Sequence, residues 1–252
     1  LVALLLLRPA AGRAAIAGRE CWSDSTAIKR RVGYLPGEFA VDPGLTGAQL
    51  LTYLANLRGG VEGPHLRRLI DALGLDPGKR FRDYSRGNKQ KVGLIQALMH
   101  RPALLILDEP TGGLDPLNQQ TFQALLAEAH ADGATIFLSS HILPEVEQLC
   151  QRVGIIRDGQ LVAVDTVAAL KGLRQQVVEI TFPTPAAPEW FAALPGVGEV
   201  TPLADGVTLR LGVQGDLREV LRVAADHDAR TLATHEPSLE EIFLRYYARD
   251  AA

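Results

Sequence analysis

The chain has 252 residues, 47% of them hydrophobic and 22% charged, with a net charge of −3. That length accommodates one sizeable α/β domain and a smaller second one, and the composition is that of a folded protein rather than a disordered one. The slight acidity supplies no overall field for nucleic acid. The two cysteines, Cys21 and Cys150, form neither a disulfide framework nor a Cys-x-x-Cys metal spacing, so a reducing compartment is expected.

Leu1 to Leu7 are all apolar. The run is much shorter than the ~20 residues that cross a bilayer, has no basic segment in front and stops at Arg8-Pro9, so a buried helix end is expected there. The chain starts at leucine and its one methionine is Met99, which leads to the expectation that further sequence precedes Leu1. Up to about Leu170, short runs at Leu104 to Leu107, Thr135 to Leu138 and Val153 to Ile156 alternate with longer amphipathic segments. Parallel strands buried on both faces and joined by helices produce that texture.

Between the early strands and the later runs, Leu50, Leu51, Leu54 and Leu57 recur at helical spacing over Thr46 to Leu57. Leu66, Leu69, Ile70 and Leu73 do the same over Pro64 to Leu73, so the two segments predict a helical insertion. After Lys171-Gly172 the pattern changes. It predicts a strand over Val177 to Phe182, a short helix around Trp190 to Leu194, a hairpin across Asp205-Gly206, a helix over Asp216 to Ala225, a strand near Thr231 to Thr234 and a closing helix over Ser238 to Tyr247. The fold class expected is α/β, with residues 1–171 as a mostly parallel sheet core carrying a helical insertion and residues 172–252 as a small α+β domain.

Four places carry candidate chemistry. Ser85 precedes an amphipathic run with Val92, Ile95 and Met99 on one stripe, so its hydroxyl is placed as an N-cap, and Gly87 leaves backbone N–H groups open to an anion at the first turn. The run Leu104 to Leu107 delivers Asp108 and Glu109 to the C-terminal end of a buried strand, where open α/β sheets place ligands. Adjacent strand residues point to opposite sides, so the pair divides the work: Asp108 toward a magnesium site, Glu109 toward a water that must lose a proton. Asp115 stands as the N-cap of a helix opened by Pro116, and His141 follows a strand and two serines. Each alone also reads as a cap, an acidic turn or a solvated histidine; their order and spacing together point to a nucleotide site.

In that order the residues resemble the ATP-binding subunit of an ABC transporter. Ser85-Arg86-Gly87-Asn88-Lys89 is similar to the signature motif, Leu104 to Asp108 to Walker B with Glu109 as the catalytic glutamate, Leu114-Asp115 to the D-loop, and His141 to the switch histidine. The closing run His235-Glu236-Pro237-Ser238-Leu239-Glu240-Glu241-Ile242-Phe243-Leu244 resembles the end of subunits that serve ABC-2 type exporters, a group that includes drug and antibiotic efflux systems.

The resemblance implies an ABC-type nucleotide-binding domain that uses ATP and Mg2+. In it Ser85, Arg86, Gly87, Asn88 and Asp115 would contact the nucleotide or the dimer interface, Asp108 would hold Mg2+ through water, and Glu109 and His141 would act in hydrolysis. Its partners would be a second ATP-binding subunit, identical or not, and an integral membrane permease, with no nucleic acid. The subunit would be cytoplasmic, on the inner face of the cell membrane.

Three departures from the family pattern stand out. No Gly-x-x-x-x-Gly-Lys-[Ser/Thr] loop occurs in these residues, and the resemblance places it just before Leu1; Gly74 to Lys79 has one intervening residue too few, with Arg80 in the Ser/Thr place. Gly37 stands where the Q-loop glutamine is expected, with Glu38 after it. Arg86 replaces the first signature glycine and Asn88 the glutamine. Three readings follow: an exporter ATPase subunit, favoured because the full acidic and histidine complement is present; a catalytically silent cassette paired with a competent partner; and a soluble non-transport ABC ATPase.

Overall fold

The computed structural model describes residues 11–39, 41–172, 176–235 and 238–240. The expected helix end at Leu1 to Leu7 and most of the expected closing helix lie outside them. The chain forms two compact units, one ending at His141 and one beginning at Ile142.

The first unit contains β1 (Ala15–Ile16), β2 (Arg19–Glu20), α1 (Ser25–Arg31), β3 (Val32–Leu35), α2 (Gly47–Leu57), α3 (Gly63–Ala72), a 3-10 turn (Phe81–Asp83), α4 (Arg86–Leu98), β4 (Leu104–Asp108), α5 (Pro116–Ala131) and β5 (Thr135–Ser139). Strands β3, β4 and β5 form a parallel sheet in that order, with Val32 opposite Leu104 and Leu104 opposite Thr135. β4 is central and its Leu105, Ile106 and Leu107 are buried, as a continuous apolar run requires. β5 lies at the edge of the described sheet and alternates, with Phe137 half exposed, so burial on both faces holds for β4 and not for β5.

α4 is the core of this unit. Its residues from Gln90 to Leu98 are all buried, where the sequence pattern predicts a single apolar stripe. The reason is that the helix is enclosed on two sides, by β3 and by the insertion helices α2 and α3. The approach to β3 is close: a Cβ on Gly33 would stand 2.1 Å from the Ala97 carbonyl oxygen. The insertion is fixed in turn by a capping box, Thr46 accepting from the Gln49 N–H and Gln49 accepting from the Thr46 N–H. Tyr84, just before α4, donates its hydroxyl to the Asp76 carbonyl at 2.6 Å.

At the other end of α2 and α4, the Arg58 guanidinium donates to the Lys29 carbonyl at 3.1 Å and meets His100 Nε2 at 3.0 Å. Burial, with the Arg58 charge adding to it, pushes the His100 imidazole down to about 4.

The second unit contains α6 (Leu143–Leu149), β6 (Arg152–Arg157), β7 (Gln160–Thr166), α7 (Val167–Gly172), β8 (Gln176–Thr181), α8 (Glu189–Ala192), β9 (Val197–Pro202), β10 (Thr208–Val213), α9 (Arg218–Asp226) and β11 (Thr231–His235). The expected strand at Val153 to Ile156 exists but is antiparallel, paired with β7 instead of joining a parallel sheet. Asp158 and Gly159 both have positive φ, 49° and 76°, which is the two-residue turn that closes a hairpin. β8 to β11 form a four-stranded antiparallel sheet in the order β11-β8-β10-β9, the last pair joined across Asp205-Gly206 as the sequence predicts. Val178, Ile180, Phe182, Leu209, Leu211 and Val213 line its buried face against Phe191, Val220 and Ala224 of α8 and α9.

Two outcomes test this packing. Gly33→Ala inserts a methyl against backbone that has nowhere to go, so it lowers stability by about 1–3 kcal/mol; a denaturant midpoint equal to that of the parent chain contradicts the close approach. His100 takes up its proton near pH 6.5 in the unfolded chain and near 4 when folded, so between those values the unfolded state binds more protons and stability falls as pH falls. Urea unfolding across that range checks it: the slope flattens in His100→Gln, and an unchanged slope refutes the assignment.

Candidate functional site

β4 ends at Asp108, and the next residue turns. Glu109 has φ 47°, the left-handed region that a glutamate rarely adopts, at a cost of about 1–3 kcal/mol. Its backbone is held from several sides: the N–H donates to the Ser139 carbonyl at 3.1 Å, and the carbonyl accepts from Gly112 at 3.2 Å. The two carboxylates therefore diverge because of a turn, and not through the strand alternation that the sequence suggests.

Asp108 stays with the sheet. Its Oδ1 accepts from the Ser139 hydroxyl on β5, and its other oxygen faces Gly37, where a Cβ would stand 3.3 Å away. Gly37 thus lies beside the carboxylate but brings no side chain to it. Burial raises the Tyr34 phenol above its ordinary value, and the Asp108 charge adds to that. Glu109 Oε2 meets His141 Nδ1 at 2.8 Å, with His141 largely exposed. The turn at Glu109 and the end of β5 bring these two together from 32 residues apart in the chain.

The first turn of α4 closes on the same loop. Ser85 caps the helix by accepting from the Asn88 N–H at 3.2 Å, as the sequence predicts. A Cβ on Gly87 would stand 2.5 Å from the Gly113 carbonyl oxygen, and one on Gly113 would stand 3.1 Å from the Arg86 Cγ, so the helix end and the loop after Glu109 touch. Ser85 and Arg86 are exposed, while Gly87 and Asn88 are half-buried. Asp115 caps α5 by accepting from the Asn118 N–H at 3.0 Å, with Pro116 in the first turn. That bond and the Asn118 side-chain amide hold the Asp115 carboxyl below its ordinary value.

Sequence patterns do not single out two residues of the site: Ser139, which bonds Asp108, and Gln90, whose amide reaches the Glu109 and Pro110 carbonyls. Gln90 carries one signal, a polar residue inside an otherwise buried helix. The donor set around Asp108 is hard oxygen, which suits Mg2+ with waters and phosphates completing its shell. Among the described residues there is no group of three or more His, Cys, Asp or Glu side chains able to hold a metal alone.

The family model described as ABC transporter matches residues 2–112, and one described as ATP-binding protein DrrA1-3-like, C-terminal domain, matches residues 168–247. An ABC transporter ATP-binding protein of Alkalihalophilus pseudofirmus is 32% identical over 95% of this chain and 90% of its own length. The chain belongs to the ABC transporter ATP-binding family. The bacitracin transport ATP-binding protein BcrA of Enterococcus faecalis is 41% identical over 54% of this chain, and that match spans 45% of BcrA. The chain spans about half the length of BcrA and of a Nostoc ABC transporter ATP-binding protein, where the share is 51%. The linearmycin resistance ATP-binding protein LnrL of Bacillus subtilis is 29% identical over 94% of this chain and 81% of its own length.

A solved ATP-binding subunit of an ABC transporter superposes with a TM-score of 0.62 at 28% identity, covering 68% of this chain and 73% of that one. The dimeric cassette MJ0796 has the same fold, with a TM-score of 0.60 at 21% identity over 66% and 78% of the two chains.

The cap at Asp115 is testable by substitution. Asp115→Ala leaves the first turn of α5 without its acceptor and lowers the thermal midpoint, whereas Asp115→Asn retains most of it. Equal midpoints for the alanine variant and the parent chain contradict the cap.

Proposed function

We propose that this chain is the ATP-hydrolysing subunit of an ABC-2 type membrane exporter, with residues 1–171 carrying the chemistry and residues 172–252 an accessory domain. The observation that carries this reading is the Glu109–His141 contact at the C-terminal end of β4, beside Asp108, with the loop that follows set against the N-terminus of α4. The names of BcrA and LnrL, which speak of bacitracin transport and linearmycin resistance, support an exporter role. No helix among the described residues is long and apolar enough to cross a membrane, and in this reading a permease chain supplies the path.

Two copies, identical or paired with a related subunit, face each other with ATP between them. Ser85 and Gly87 of one copy offer the N-cap hydroxyl and open N–H groups to the γ-phosphate held by the other, and the exposed Arg86 adds a cation beside it. Asn88 lies in the same turn. Glu109 accepts hydrogen from the attacking water and polarises it, and His141, tied to Glu109, contacts the γ-phosphate. Asp108 would hold Mg2+ through water, and the ion, when bound, would supply positive charge against the phosphate oxygens. Asp115 couples the two sites across the interface. The work is chiefly positioning and charge stabilisation at the end of one strand and the start of one helix.

In the full-length chain, Glu109→Gln preserves nucleotide binding, traps an ATP-bound dimer and reduces turnover by roughly 10²-fold or more. Steady-state phosphate release and size-exclusion chromatography with ATP check this. Hydrolysis at the parent rate contradicts the role given to Glu109.

A further inference from the structure

Gln90 lies one turn into α4, in the buried stretch of the helix. Its Nε2 donates to the Pro110 carbonyl at 2.9 Å and to the Glu109 carbonyl at 3.2 Å. Both partners are carbonyl oxygens, so the amide must present its NH2 group and not its oxygen. A buried carbonyl left without a donor is costly, and Gln90 supplies donors to two consecutive ones in a segment that has left regular structure.

The location matters more than the bonds themselves. Glu109 holds an unfavourable φ, and its carbonyl takes hydrogen from two sources: Gly112 within its own loop, and Gln90 from another element. Up to four residues before Gln90, on the same helix, Arg86 and Gly87 lie against Gly113 at the far end of that loop. α4 therefore touches the segment from Glu109 to Gly113 at both ends.

We propose that Gln90 is a positioning residue for hydrolysis, a clamp that makes the Ser85–Gly87 end of α4 and the Glu109 carboxylate one mechanical unit. Engagement of a γ-phosphate at the helix end is then felt at the base, because the amide closes the joint between them. This inference rests on the reading of Glu109 as the hydrolytic base.

The test uses the full-length chain with Gln90→Met, which keeps the length and loses the donors, and Gln90→Glu, which keeps the shape and, when ionised, sets an oxygen against the two carbonyls. Both are expected to lower kcat by about tenfold or more while KM and the affinity for a non-hydrolysable ATP analogue stay within about threefold, the split of a group that acts after binding. For Gln90→Glu, the ratio of its kcat to that of the parent rises as pH falls from about 8 to 6, because the protonated carboxyl regains an O–H donor.

A purely structural role moves affinity, KM and thermal midpoint together with kcat and shows no recovery at low pH; that result overturns the proposal, as does a kcat within about twofold of the parent in both variants. Gln90→Glu keeps the test decisive if Gln90→Met does not fold. Glu109→Gln run alongside separates the two ideas: normal turnover there removes the base assignment, whereas loss of turnover there with active Gln90 variants removes only the clamp.

Discussion

The turn at Glu109 holds the site together. A buried central strand must end somewhere that its last polar residues can be used, and here it ends with Asp108 still bonded to the neighbouring strand and Glu109 already in left-handed backbone. That conformation persists because other groups over-determine it: Ser139 on its N–H, Gly112 and Gln90 on its carbonyl, His141 on its carboxylate. Without the turn, Glu109 would continue the strand and lose the backbone position that sets its carboxylate against His141.

That turn depends on α4, and α4 depends on its surroundings. The helix is buried through most of its length because glycines at Gly33 and Gly93 let β3 and its neighbours approach, and because the insertion helices cover its other side. Its N-terminus, with Ser85 and Arg86 exposed, is its open end. A rigid, enclosed helix with one open end is a good carrier for an anion-reading turn. In the second unit the antiparallel sheet builds its own core around Phe182, Phe191 and Leu211, and pairs Glu179 with Arg210 across β8 and β10.

Much of this architecture is legible in the amino-acid sequence. The apolar run at Leu104 to Leu107, the Leu-spaced insertion and the caps at Ser85 and Asp115 follow from local rules, and all four occur where periodicity and capping chemistry place them. The features that local rules miss are non-local or depend on backbone sign. The apolar texture of Val153 to Ile156 matches that of the parallel runs, and only the hairpin signal at Asp158-Gly159 distinguishes it. The burial of α4 beyond one apolar stripe is invisible to a periodicity argument, since enclosure is decided by elements distant in sequence. The roles of Ser139 and Gln90 are hidden for the same reason: each bonds a residue about 20 to 30 positions away. Positive φ at a glutamate has no sequence signature at all.

In the proposed function these residues supply the carboxylates, the histidine and the helix end of a nucleotide site, but not the phosphate loop whose amides and lysine carry most of the triphosphate affinity. Titration calorimetry of the 252-residue chain with MgATP tests it most directly. Weak binding is expected, with heats too small to fit at micromolar protein. Tight, magnesium-dependent binding by this chain alone would contradict it, because it would mean that the end of β4 and the start of α4 hold ATP without that loop.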